Sequence, residues 1–178
     1  MIVMMAPIPF LKDNLVWTGL IAAIIFAITS LTDMLDGKIA RKYNLITDFG
    51  KFMDPLADKF MVFGAMLCII YRYETIRPVF IWAAAIVMFR ELAVTSIRLV
   101  VSGKEGLVVA ASWLGKIKTV LQVVCIVVVL VEPALALVIP FCQYYVLSYV
   151  TMIAMLVMTL WSGIDYLKSY WKFIDPTK

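Results

Sequence analysis

Long uncharged runs separated by short polar clusters divide this chain. From Asn14 to Thr32 there is no charged residue, and a helical reading continues through Asp36 to about Ala40, a first full membrane span. A polar loop, Arg41 to about Asp48, precedes a second span from about Gly50 to Tyr71; Pro55 needs no N–H if it lies in that helix's first turn. The connection Arg72-Tyr-Glu-Thr-Ile-Arg77-Pro78 leads to a third span, about Val79 to Val101, unusual in holding Arg90, Glu91 and Arg98. Ser102 to Gly115, with three glycines, predicts a loop or interfacial segment, and a fourth span runs from near Lys116 to Val131. After Glu132-Pro133 the chain is uncharged from Ala134 to Ile164, which predicts one long span with Pro140 near its start. The basic tail, Asp165 to Lys178, places Tyr166, Tyr170 and Trp171 at a membrane interface. Met1 to Leu11 is apolar but shorter than the about 20 residues a bilayer crossing needs, and no basic segment precedes it as in a signal peptide.

Composition agrees. Of 178 residues 64% are hydrophobic and 16% charged, with mean hydropathy +0.99, far from the make-up of a water-soluble domain. The expected fold is all-α, a single polytopic helical membrane domain over residues 1–178. Cys68, Cys125 and Cys142 are widely spaced in apolar runs and read as packing residues rather than a disulfide or metal framework. Histidine is absent. Acid/base chemistry must therefore rest on Asp, Glu, Lys, Tyr or Cys.

The chemistry-bearing stretch lies where the first two spans meet water. Asp33 and Asp36 are three apart, Asp54 and Asp58 four apart, so each helix carries a pair of carboxylates on one face. Gly37 and Ala40 flank the first pair, and Gly50 lies one turn before Asp54, leaving room for a ligand or a neighbouring backbone. Four such carboxylates at a membrane boundary require protonation or bridging cations, and their oxygens suit hard divalent ions such as Mg²⁺, Mn²⁺ or Ca²⁺.

Asp33-x-x-Asp36-Gly37-x-x-Ala40-Arg41, eight residues, then Gly50-x-x-x-Asp54-x-x-x-Asp58 resembles the signature of the CDP-alcohol phosphotransferases, integral membrane enzymes of phospholipid synthesis. The resemblance implies about six transmembrane helices, the first short or truncated here because the family's Asn-x-x-Thr-x-x-Arg opening has no counterpart before Pro7. It implies two divalent cations, Mg²⁺ or Mn²⁺, held by Asp33, Asp36, Asp54 and Asp58, with Asp58 also the base. It further implies nucleotide contacts at Gly37, Ala40, Arg41 and Gly50, although Arg41 taken alone reads as a snorkelling interfacial residue.

Within that family, Arg90-Glu91-Leu-Ala-Val-Thr95-Ser-Ile-Arg98 and Leu114-Gly115-Lys116-Ile-Lys118-Thr119 resemble members that use sn-glycerol 3-phosphate as acceptor. Arg90, Arg98 and Lys116 are then expected to bind its phosphate, with Glu91 neutralising one arginine. Lys116 and Lys118, two residues apart, face different ways, and only Lys116 is taken into the pocket. The implied reaction transfers a phosphatidyl group from CDP-diacylglycerol to glycerol 3-phosphate and releases CMP. The alternatives are another acceptor in the same family, serine, inositol or phosphatidylglycerol, and, outside it, a divalent-cation transporter. The absence of carboxylates in Phe60 to Ile70 and Thr119 to Val131 argues against an ion path.

Basic residues cluster on one side of the predicted spans: Lys38, Arg41, Lys42, Lys51, Lys104, Lys116, Lys118, Lys168, Lys172 and Lys178, against Lys12, Arg72 and Arg77 opposite. The positive-inside tendency makes the first side cytoplasmic. A multi-pass cell-membrane protein with its active site facing the cytoplasm is expected, homodimeric by analogy, with no nucleic-acid partner.

Overall fold

The computed structural model describes residues 14–43, 48–105 and 113–170, with side chains except at 41, 48–55 and 99–105. Among these residues the chain forms five long α-helices: α1 Leu15–Lys42, α2 Asp48–Arg72, α3 Arg77–Glu105, α4 Trp113–Leu135 and α5 Val146–Tyr170, with a 3₁₀ turn at Pro140–Tyr144. Four of them, α1, α3, α4 and α5, are long and apolar enough to cross a membrane. The fifth, α2, has the length, 25 residues, but its first half carries Asp48, Lys51, Asp54, Asp58 and Lys59. Residues 1–13, where a short first helix is expected, lie outside the described residues.

Successive helices run antiparallel, and α4 is the hub, packing against α1, α2 and α5, while α3 packs against α2 and α5. The bundle's interior holds Phe26, Met66, Ile69, Phe80, Val87, Ile126, Val129 and Met155, all buried. Its outside is also apolar: Trp82 and Phe89 on α3 are 72% and 76% exposed. An apolar interior with an equally apolar exterior suits lipid rather than water as the surrounding medium, because the backbone polar groups are already satisfied within the helices. Cys68, Cys125 and Cys142 are buried and not joined in disulfides among the described residues.

Close approach between α1 and α4 depends on Gly19. A Cβ there would lie 2.4 Å from the Leu130 carbonyl oxygen and 2.7 Å from the Tyr73 hydroxyl, so only glycine lets the two backbones meet. At the end of α2, Arg77 donates from Nε to the Ile70 carbonyl at 2.7 Å and from Nη2 to the Tyr71 carbonyl at 3.0 Å. A cation thus satisfies two of the carbonyls that a helix C-terminus leaves without partners.

The expected single span over Ala134 to Ile164 is corrected. Helix α4 continues through Pro133 to Leu135, the chain turns, Pro140 opens the 3₁₀ segment, and Tyr145 takes a left-handed conformation, φ 54°, before α5 begins. Turns are ordinarily betrayed by polar residues, whereas this one is apolar, with Leu137, Val138, Phe141 and Tyr144 exposed. What substitutes for local turn chemistry is Glu132, wholly buried. Its carboxylate accepts from the backbone N–H of Leu147 at 2.9 Å and of Ser148 at 2.7 Å, and from the Ser148 hydroxyl. An anion from α4 thereby caps the N-terminus of α5, where free N–H groups and the helix dipole favour negative charge. Burial raises the titration of Tyr145 above the ordinary phenol range, and the neighbouring Glu132 adds to that effect.

Candidate active site

Most of the sequence-derived site residues fall toward one end of the bundle, in the last turns of α1, the first turns of α2, the second half of α3 at Arg98 and the start of α4, while Arg90 lies at the middle of α3. Antiparallel helices with short connections dictate that convergence. At the α1–α2 crossing the Ser30 hydroxyl meets the Met61 sulfur at 3.9 Å. Asp33 is three residues beyond Ser30 and Asp58 three residues before Met61, so on antiparallel helices each lies about 4.5 Å, a little under one turn, further toward the same end. Asp36 follows one turn beyond Asp33, and position 54 one turn beyond Asp58.

Asp33, Asp36 and Asp58 are exposed, Gly37 and Ala40 partly so. The side chains of Asp54, Arg41 and Gly50 lie outside the described residues, and among the described residues no three acidic or thiol groups are assembled closely enough to hold a metal. All four candidate donors are carboxylate oxygens, the ligand type that suits a hard divalent cation, and Asp33, Asp36 and Asp58 are accessible to one.

Beside the aspartates, α2, α3, α4 and α5 build a cationic pocket. Lys59, next to Asp58, donates to the Thr95 hydroxyl at 2.5 Å; Thr95 in turn donates to the Glu91 carbonyl at 2.8 Å. Glu91 accepts from Lys118 and from Arg90 Nη1, the latter at 3.4 Å. Arg90 is 8% exposed and Lys118 4%, and charges this deep in an apolar bundle persist only with partners or a function.

The two arginines are joined through α5. Arg90 Nη2 donates to the Ser162 hydroxyl at 3.0 Å, and Arg98 Nη2 donates to the Tyr166 hydroxyl at 2.8 Å. Both guanidinium groups also lie over the Tyr166 ring, 5.8 and 5.6 Å from its centroid, within cation–π range. Arg90 Nε is buried with no hydrogen-bond partner among the described residues. Glu91 thus pairs with Arg90 and Lys118, while Lys59 and Arg98 bond to Thr95 and Tyr166 nearby. Among the described residues this cluster of α2, α3 and α4 holds four cations and, with Asp58 beside Lys59, two carboxylates.

Two placements differ from expectation. Lys116, expected in the pocket, is exposed and holds its ammonium 5.5 Å from the Trp113 ring centroid; Lys118 turns inward instead. Tyr166, expected in an interfacial belt, is 4% exposed and lies against both arginines. In sequence Tyr166 sits between Asp165 and Lys168, and nothing there separates it from an interfacial anchor.

A family model described as CDP-alcohol phosphatidyltransferase matches residues 1–165. The chain is 44% identical over 131 residues to the CDP-diacylglycerol–glycerol-3-phosphate 3-phosphatidyltransferase of Bacillus subtilis, covering 71% of this chain but 65% of that protein. It is 34% identical over 168 residues to the protein of the same name from Yersinia enterocolitica, covering 90% of this chain and 85% of that one. A third, from Salmonella choleraesuis, is 34% identical over 159 residues, 86% of this chain and 80% of that one.

Proposed function

The chain belongs to the CDP-alcohol phosphatidyltransferase family, and from that premise we propose that it transfers a phosphatidyl group from CDP-diacylglycerol to sn-glycerol 3-phosphate, giving phosphatidylglycerophosphate and CMP. The relatives' shared name supports the pair of substrates. The observation that carries the acceptor is the cation excess around Arg90, Arg98 and Lys118 beside the aspartate face. A phosphate dianion would satisfy it through charge-assisted hydrogen bonds. Inositol carries no anionic group, and serine offers a single-charged carboxylate beside its own ammonium group, so neither matches the cations as a phosphate dianion does.

The family resemblance and the helix ends on which these residues lie support the following chemistry. Asp33, Asp36, Asp54 and Asp58 would hold two divalent cations, Mg²⁺ or Mn²⁺, which when bound supply positive charge against the diphosphate and its leaving oxygen. Gly37, Ala40 and Gly50 leave space for the nucleotide, with Arg41 near its diphosphate. Arg90 and Arg98, with Lys118 in the place expected for Lys116, hold the acceptor so that its hydroxyl faces the lipid-linked phosphorus. Asp58 takes the hydroxyl proton, the oxygen forms the new P–O bond, and the P–O bond to CMP breaks. The acyl chains stay in the bilayer along the apolar exterior. The basic side chains at this end support a cytoplasmic orientation, where a nucleotide-activated lipid headgroup and a soluble phosphate acceptor can meet. A homodimer is the assembly the family resemblance implies.

The test is CMP release from CDP-diacylglycerol by the full chain in lipid–detergent micelles, with glycerol 3-phosphate, serine and inositol each offered as acceptor. Release that depends on glycerol 3-phosphate and on added Mg²⁺ or Mn²⁺, and that stops in excess chelator, is expected. Preferential turnover of serine or inositol overturns the acceptor; undiminished turnover in chelator overturns the metal-binding role of the aspartates.

A further inference from the structure

The two arginines assigned to the acceptor come from one helix, eight residues apart, with no contact between them that would hold their guanidinium groups on a common anion. Arginine side chains have many rotamers, and ordering one costs on the order of 1.5–2 kcal/mol of conformational entropy. Like charges brought together also repel, so their alignment requires something outside α3. That element is α5. Ser162 accepts from Arg90 and Tyr166 accepts from Arg98, at 3.0 and 2.8 Å. These residues are four apart, hence one above the other on the same helical face, about 6 Å along α5 against about 12 Å between the arginine backbones on α3, so the two guanidinium groups converge on α5. The Tyr166 ring lies beneath both guanidinium groups. Between the two holding residues, Gly163 supplies space: a Cβ there would lie 3.3 Å from Arg90 Cγ, closer than nearly all such contacts. Tyr170, one turn further, stacks on Tyr166 with centroids 5.9 Å apart and planes at 25°, fixing the ring from the far side.

We propose that Ser162, Gly163 and Tyr166 of α5 form a cradle that positions Arg90 and Arg98 as one anion-binding unit, with Tyr166 as a positioning residue for the acceptor phosphate. The inference rests on the acceptor reading above and deepens it. Tyr166 does not touch the reacting atoms; its hydroxyl is spent on Arg98 and its ring on both cations. It acts before substrate arrives, by removing arginine conformations that cannot share one phosphate, and preorganisation of that kind tightens binding without altering the chemical step.

The experiment is steady-state kinetics of the full chain in lipid–detergent micelles for Tyr166→Phe, Gly163→Ala and Arg90→Lys, varying glycerol 3-phosphate and CDP-diacylglycerol in turn and recording thermal unfolding. Tyr166→Phe keeps the ring and removes only the hydroxyl. Its KM for glycerol 3-phosphate should rise on the order of ten- to a hundred-fold, the effect of a lost hydrogen bond to a charged group. Its kcat, its KM for CDP-diacylglycerol and its unfolding temperature should stay near the parent values. Gly163→Ala should give the same split by displacing Arg90. If Arg90→Lys raises the acceptor KM while Tyr166→Phe leaves it unchanged, the cradle is wrong and the acceptor assignment stands. If Arg90→Lys also leaves it unchanged, the acceptor reading itself fails. A Tyr166→Phe protein impaired equally toward both substrates and unfolding early shows a packing role only, and equally overturns the proposal.

Discussion

The choice between Lys116 and Lys118 gives the sharpest check on the pocket's construction. Lys118 is buried, and its partner Glu91 has a side chain 15% exposed, so Lys118→Met leaves a largely dehydrated carboxylate with Arg90 alone, at 3.4 Å. Removing one member of such a pair costs about 3–5 kcal/mol, most of it the penalty for the charge left behind. Lys116 is exposed and touches only the Trp113 ring in the described residues, so Lys116→Met should stay within about 0.5 kcal/mol, as surface substitutions do. Methionine nearly preserves the lysine stem in both cases, so the comparison isolates the ammonium group.

The assay is equilibrium unfolding in mild detergent, followed by tryptophan fluorescence, for the parent, both single variants, Glu91→Gln, and the double variant Glu91→Gln/Lys118→Met. Because the two residues touch, their effects should not add: the double variant should lose less than the sum of the singles by about 1–3 kcal/mol. Glycerol 3-phosphate binding should weaken with Lys118→Met and not with Lys116→Met. Equal destabilisation by the two lysine substitutions, or strict additivity in the double variant, would refute the ion pair as the pocket's support.

Three further outcomes are expected. Asp58→Asn should lower kcat by about 10²–10⁴-fold, the usual worth of a general base, with a much smaller change in CDP-diacylglycerol KM; an equal loss in both would show Asp58 acting chiefly as a ligand. Gly19→Ala places a methyl group 2.4 Å from a backbone oxygen, so α1 and α4 must separate, at about 1–3 kcal/mol, measurable as a lowered unfolding temperature. Glu132→Ala strips the buried cap from α5 and leaves two N–H groups and a hydroxyl without their acceptor; at about 1–3 kcal/mol for each such group, hydrogen exchange at Leu147 and Ser148 should accelerate, with Glu132→Gln intermediate.

Helix order and most boundaries were legible because apolar runs of bilayer length alternate with charged clusters, and nothing else satisfies backbone polar groups in lipid. The miss at residues 134–164 has the same root. A reading that recognises turns by their charge cannot see an apolar hairpin whose polar requirements are met by Glu132 from the preceding helix. Two clues were present: the uncharged run exceeds the about 20 residues of one span, and Pro133 and Pro140 bracket the turn. Neither reveals that Glu132, taken as a boundary charge, is buried and caps α5.

The aspartate pairs could be proposed from sequence because their spacing is local: residues three and four apart share a helical face whatever they pack against. The cationic pocket could be read only in part, since its geometry is tertiary. Spacing shows that Lys116 and Lys118 point apart; which of them faces inward depends on how α4 is rotated against α3 and α5, and that phase is set by packing. Tyr166 illustrates the same limit more strongly, being 68 residues from the arginine it holds and indistinguishable in sequence from an interfacial anchor. Yet one physical rule links what was read to what was missed. Arg90 and Arg98 in an apolar helix demanded partners from somewhere, and with Glu91 shared between Arg90 and Lys118, neutral acceptors on another helix take two of their remaining donors. Ser162 and Tyr166 are those acceptors. In the proposed function the phosphate of glycerol 3-phosphate would take others.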